Sequence, residues 1–180
     1  MKKNNVWMLM WALLLGGTAL VSCSDDDNYE MLEQDRARVA TFMQNAAASD
    51  MFEITTGTMA QEQGETADVQ MFGDMLVEDH SMTAMKIKEM ADERNVNLPQ
   101  SLPAPKQEIA TRLDGKTGMD FDKDFAAIQV EAHQEAIALY EEADRDIADT
   151  EVQAFIDATL PTLRMHFTHA QQLKTTIDGM

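Results

Sequence analysis

Three histidines and one glutamate are the residues whose types and spacing suit chemistry. Placed at ~100° per residue on helices, His80 falls near the centre of a stripe of Val69, Phe72, Leu76, Thr83, Ile87 and Met90. His166 falls inside a stripe of Val152, Ile156, Thr159, Leu160, Leu163, Phe167, Ala170, Leu173 and Ile177. His133 sits on the flank of a face formed by Phe121, Phe125, Ile128, Ala132, Ala136, Leu139 and Ala143, near Ile137 and Tyr140. Glu53 shares a face with Val39, Phe42, Ala46, Gly57 and Ala60. The histidines stand near the middle of their segments, so antiparallel helices of similar length bring them to one level. Glu53 lies a little past its own midpoint. Two chemistries follow. A neutral imidazole is a ligand for zinc, copper, iron or nickel, and three of them with a carboxylate make a transition-metal site. Alternatively, the buried histidines are neutral and satisfied by a carboxylate or a backbone carbonyl, or the four side chains satisfy one another as a polar network that fixes helix register, since an unpartnered buried polar group costs roughly 1–3 kcal/mol. The network is the leading expectation, metal the rival, and exposure of some of these residues the remainder.

Other chemistries lack their residues. Di-iron carboxylate bundles carry Glu-x-x-His on two helices. Here Val77, Val130 and Leu163 stand three residues before the histidines. His166 and His169 form an H-x-x-H pair, with His169 turned ~60° towards the flank. No Gly-rich phosphate loop, nucleophile elbow or HExxH occurs, so a non-enzymatic role is favoured. Of the 15 methionines, Met75, Met82 and Met85 lie off the apolar stripe of their helix. They suit packing or an adaptable partner-binding face better than copper.

The elements that position the four residues are helical throughout. Glycine and proline are scarce except at boundaries, and no stretch alternates with a strand's period. The periodicity predicts helices over about Met31–Gln63, Thr66–Asn95, Asp120–Ile147 and Thr150 to just before Gly179. Pro99 bars the second from continuing, and Thr150 is the expected N-cap of the fourth. Pro161 should kink the fourth helix one turn before His166. Short links near Gly64 and Asp149 make antiparallel neighbours of helices one and two, and of three and four. Between helices two and three lies a longer stretch, Val96–Met119, in which KQEIATRLDG suits a short helix. A helix of ~28 residues is ~42 Å long. A connection of ~24 residues at up to ~3.3 Å each can return along it. The expected fold is therefore all-α, a ferritin-like four-helix bundle with a long connection between helices two and three; an up-down bundle with a decorated loop is the alternative.

The N-terminus reads as an address. Lys2 and Lys3 precede an apolar run from Val6 to Val21, a secretory signal over residues 1–22. Leu20-Val21-Ser22-Cys23 resembles a bacterial lipobox, in which the cysteine carries lipid, and Cys23 is the one cysteine of the chain. Each buried acyl CH₂ contributes ~0.8 kcal/mol, so a multiply acylated Cys23 is a firm membrane anchor. Residues 23–30 read as an acidic tether and 31–178 as the domain. Without Lys2 and Lys3, 12 Lys+Arg face 32 Asp+Glu, a net charge of 12 − 32 = −20. So acidic a body excludes nucleic acid as a partner. The expected partner is a membrane, through the lipid on Cys23, with the outer membrane as the expected location; a protein or small-molecule partner is not specified.

Three stretches resemble one known family. Phe72-Gly73-Asp74-Met75-Leu76-Val77-Glu78-Asp79-His80 with Ala91 and Val96-Asn97-Leu98-Pro99 is similar to its second-helix motif. Phe121-Asp122-Lys123-Asp124-Phe125 with His133 and Leu139-Tyr140 is similar to its third. Thr159-Leu160-Pro161-Thr162-Leu163-Arg164-Met165-His166 is similar to its fourth. By these the chain resembles the bacterial domain of unknown function 4142, whose members are often described as outer membrane proteins. The resemblance covers most of residues 31–175. It implies a ferritin-like helical fold and supplies no activity. Asn95 stands where the family usually has glycine before the Val-x-Leu-Pro turn, and asparagine can make the same left-handed cap. The leading expectation is thus a lipid-anchored, non-enzymatic envelope protein for binding or envelope adaptation. The rival is a metal-binding or redox protein using Glu53, His80, His133 and His166.

Overall fold

Helix ends fall where the chain supplies caps. The computed structural model describes residues 25–180, with side chains from residue 30. It contains α1 (Asp25–Gln63), α2 (Ala67–Arg94), α3 (Ala104–Asp114), α4 (Gly118–Asp146) and α5 (Thr150–Asp178). No strand occurs among the described residues. Asn95 ends α2 in the left-handed region at φ 54°, and Val96 N–H turns back to Ala91 O at 2.9 Å. The N-cap of α5 is Asp149 rather than Thr150. Its Oδ1 accepts from Glu151 N at 3.0 Å and Val152 N at 3.1 Å, because a carboxylate at that position reaches the free amides of the first turn. The helix continues through Pro161. α1 begins at Asp25, so helix occupies most of the stretch read as a tether. The signal segment and Cys23 lie outside the described residues. Among those described, no helix is long and apolar enough to cross a membrane.

The helix directions follow from who meets whom. α1 and α2 form an antiparallel hairpin that closes tightly at Gly57 and Gly73. A Cβ on Gly73 would sit 2.6 Å from Gly57 O and 2.8 Å from Ala60 Cβ, so only glycine permits this approach. The turn between them is held by a carboxylate from α4. Buried Asp122 accepts from Glu65 N and Thr66 N, each at 2.9 Å, bonds to a charged group worth about 1.5–3 kcal/mol each. The start of α1 meets the end of α4, where Arg38 donates to Asp146 O at 3.3 Å and Asp35 accepts from Ala148 N at 2.7 Å. α4 and α5 form the second hairpin. The end of α2 meets the start of α5 through Arg94, which bonds Asp149 at 2.9 Å and Glu151 at 3.0 Å.

The end of α2 and the start of α4 are therefore at opposite ends of the bundle. The connection runs back along α1. Gln44 donates to Asn97 O at 3.0 Å near its beginning. Lys106, on α3, lies 4.7 Å above the Phe52 ring. Gln63 donates to Asp114 at 2.9 Å near its end.

The core is not continuous. One apolar cluster joins Val39, Phe42, Met43, Ile87, Met90, Tyr140, Ile156 and Leu160 at one end. A second joins Phe52, Phe72, Leu76, Phe121, Phe125, Ala170 and Leu173 at the other. On α2, α4 and α5 the residues between the clusters include His80, His133 and His166. Two dry layers thus enclose one polar layer.

Candidate metal centre

Each imidazole of that layer is fixed from behind. His80 Nδ1 donates to Asp50 Oδ1 on α1 at 2.8 Å, and Thr83 Oγ1 donates to the other oxygen of the same carboxylate at 2.9 Å. His133 Nδ1 donates to Gln129 O at 2.9 Å. A carbonyl only accepts, so this nitrogen carries the proton and Nε2 keeps its lone pair. His166 Nε2 donates to Asp79 Oδ2 on α2 at 2.9 Å. A carboxylate or carbonyl behind a histidine is how metal-ligating rings are usually oriented, with the opposite nitrogen left to the ion.

Those opposite nitrogens are free. His80 Nε2, His133 Nε2 and His166 Nδ1 are buried and have no hydrogen-bond partner among the described residues. The ring centroids stand 5.4–5.7 Å apart in all three pairings, and one ring nitrogen from each lies within 4.8 Å of the others. Points no farther apart than 4.8 Å share a centre no more than about 2.8 Å from any of them. Zinc–nitrogen bonds are ~2.0–2.1 Å, so each ring needs to close by less than ~0.8 Å. The histidines do not hydrogen-bond one another; each is held at one nitrogen by a carboxylate or a backbone carbonyl, Asp50, Gln129 or Asp79, as the structural reading allowed, and the other nitrogen has no partner among the described residues.

Glu53 is placed beside the trio. It is fully buried, and its Oε1 is 4.0 Å from His133 Nδ1, the nitrogen already donated to Gln129. Neither of its oxygens has a hydrogen-bond partner among the described residues. Gln129, which is close by, spends its amide on Thr56 Oγ1 at 2.8 Å. Burial raises the Glu53 carboxyl to about 7, against the pull of nearby His80. Burial also holds His133 and His166 down at about 4, helped by the charge on neighbouring imidazoles. Both are neutral and ligand-ready at pH 7. His80 is the exception. Burial lowers it, but the Asp50 hydrogen bond and the charges of Glu53, Asp50 and Asp79 outweigh this and raise it. The layer thus holds three carboxyl groups, of which burial raises Asp50 and Glu53, against at most one imidazolium, and a divalent cation there would favour their charged forms.

Phe72 forms one wall, its ring 6.2 Å from His133, 6.3 Å from His166 and 4.5 Å from half-buried His169. His169 is thus packed on an aromatic ring at the flank. The sequence reading missed Asp50, Asp79 and the Gln129 carbonyl. Asp79 had a signal, as the residue beside His80 on the adjoining face; Asp50 had none. Of the methionines, Met82 and Met85 are exposed, with Met71 and Met165, while Met75 is half-buried.

The family model described as Domain of unknown function (DUF4142) matches residues 28–173. Among solved structures, a DUF305 fragment from Deinococcus radiodurans is similar with a TM-score of 0.68 at 10% identity, covering 79% of this chain and 97% of that one. At that identity the likeness concerns the fold alone. No curated protein matches in sequence.

Proposed function

The chain belongs to the DUF4142 family, and from the geometry of its core we propose that it is a transition-metal-binding helical bundle of the cell envelope. The observation that carries the reading is the coincidence of orphans. Three rings, each anchored from behind at one nitrogen and left without a partner at the other, converge in a layer between two apolar clusters. Leaving such groups unpartnered costs about 1–3 kcal/mol apiece, and an ion removes that cost. Imidazole donors suit zinc, copper, nickel or iron. His80, His133 and His166 are the protein ligands, a water can take the fourth position of a four-coordinate set, and Glu53, outside the group of close ligand atoms, is a nearby carboxyl behind His133. Asp50, Asp79 and Gln129 orient the rings. The buried layer favours holding an ion over turning over a substrate. The proposal includes a ferritin-like arrangement, supported by the two antiparallel hairpins and the connection that runs back along α1.

Protein purified without chelator and loaded with Zn²⁺ is expected to bind one equivalent. The His80→Ala/His166→Ala variant, still helical by circular dichroism, is expected to bind none tightly. Equal binding by both proteins, or no tight binding by either, overturns the reading.

Anchoring through the lipid on Cys23 is part of the same proposal and rests on the lipobox-like Leu20-Val21-Ser22-Cys23. The Cys23→Ser variant is expected to leave the membrane fraction and appear as soluble exported protein. Unchanged membrane partitioning counts against the anchor.

A further inference from the structure

From the packing of the long helices we infer that metal ions reach the three imidazoles through the seam between α2 and α5, and that Asp79 is the carboxylate that takes them up. The inference rests on the metal-binding reading above and names the route into that site.

The α1–α2 and α4–α5 seams are the tight ones, and the α1–α4 seam holds an open groove beside Phe42, Leu139 and Ala143, at the end where Arg38 meets Asp146. α1 and α2 approach backbone to backbone at Gly57 and Gly73. α3 and the connection cover α1, with Lys106 laid over Phe52. α4 and α5 pack closely, and the apolar clusters they share include Ala136 and Leu163 at one end and Ala132 and Ala170 at the other. α2 and α5 approach at fewer points, and long side chains do the bridging. Lys86 reaches Glu151 at 3.3 Å, and Arg94 reaches Glu151 and Asp149. Between those bridges and the Phe72–His169 contact, the hydrogen bond across the seam among the described residues is Asp79–His166.

Exposure separates the three anchors. The Asp50 side chain is 4% exposed, and that of Asp79 is 27% exposed while its partner His166 is at 0%. The Gln129 anchor is a backbone carbonyl within α4, its residue fully buried. Asp79 alone among them has one end in solvent and the other on a ligand ring. The surrounding surface of α2 carries Asp74 and Glu78, both exposed. The chain's net charge of −18 draws cations towards it. A cation that exchanges water for the Asp79 carboxylate is then next to His166 and on the open side of the layer. Asp79 is a positioning residue in the loaded protein, since it fixes which nitrogen of His166 faces the ion, and an entry residue during loading.

Stopped-flow mixing with Co²⁺, read by its visible absorption, tests the route on the full domain. Asp79→Asn keeps an oxygen acceptor for His166 Nε2 and removes the charge. It should form the same final spectrum as the unaltered protein with an association rate lower by about tenfold or more. Asp79→Glu should restore most of that rate. Asp50→Asn, on the closed side, should keep the association rate within about twofold and lose affinity through faster release, on the order of tenfold. Equal association rates for Asp79→Asn and Asp50→Asn overturn the route while leaving the metal site standing. Absence of any Co²⁺ or Zn²⁺ uptake by the unaltered protein overturns both.

Discussion

Free Zn²⁺ at about a thousand times its Kd should raise the unfolding midpoint by about 8–16 °C. An ion that binds only the native state at that excess adds ~4.1 kcal/mol, and each kcal/mol moves the midpoint of a domain this size by ~2–4 °C. The size of the effect follows from the core. The ion would bond three nitrogens that have no partner among the described residues, so binding displaces no hydrogen bond the fold already makes. The same addition should leave the His80→Ala/His166→Ala variant within a degree or two of its own metal-free midpoint. That variant starts lower because truncating buried rings removes packing, so the shift on adding metal is the quantity to compare. Ca²⁺, a hard cation that prefers oxygen ligands, should produce little shift in either protein despite the acidic surface. Differential scanning calorimetry with a buffered free-metal concentration reads all of these.

Glu53→Met should have two large effects of opposite sign. In the metal-free protein it should stabilise, and increasingly so as pH rises. The Glu53 carboxyl is raised from 4.5 to about 7 in the folded chain. Between those values the native state holds a proton that the unfolded state has released. Its contribution to stability is therefore fully present below about pH 4.5 and is lost as pH climbs through 7. By pH 8 the loss is on the order of 3 kcal/mol. Methionine, unbranched and of similar length, fills the space without a charge. The variant should thus gain about 2–3 kcal/mol over the unaltered protein at pH 8, and little at pH 5. His133 and His166, both held down at about 4, act in the other sense. They remove stability as pH falls from their ordinary value towards 4, in both proteins, and so cancel in the comparison. With metal present the sign reverses, and Zn²⁺ should bind the variant about 10–100-fold more weakly. A residue kept for packing would lower stability when replaced at every pH. Chemical denaturation at pH 5 and pH 8, with and without metal, separates the two cases.

Much of this was legible in the chain, and the remainder was hidden for identifiable reasons. The 3.6-residue stripes turned His80 and His166 inward because each shares a face with large apolar side chains. His133 was read at the flank of its helix yet is fully buried. α4 has α1 on one side and α5 on the other, so it buries a wider arc than one stripe. The short helix in the connection was readable from KQEIATRLDG. The direction of that connection was not, since its length allowed either a return along the bundle or a decorated loop. Contacts of Gln44, Phe52 and Gln63 with it show which path it takes. Glu53 looked like a fourth member of the cluster, and it stands beside the group, 4.0 Å from a nitrogen already engaged. The anchors behind the rings were the least visible. Asp50 is thirty positions from His80, and the Gln129 contribution is a main-chain carbonyl that any residue would provide. Asp122 looked like one more solvated acid in an acidic chain, and it is a buried cap for a turn between two other helices.

X-ray absorption at the zinc edge of protein loaded with one equivalent of Zn²⁺ bears most directly on the centre itself. Three imidazole shells at ~2.0–2.1 Å, completed by one oxygen, are the predicted result. A first shell of oxygen alone, with no imidazole scattering, would place the ion on surface carboxylates and contradict the account.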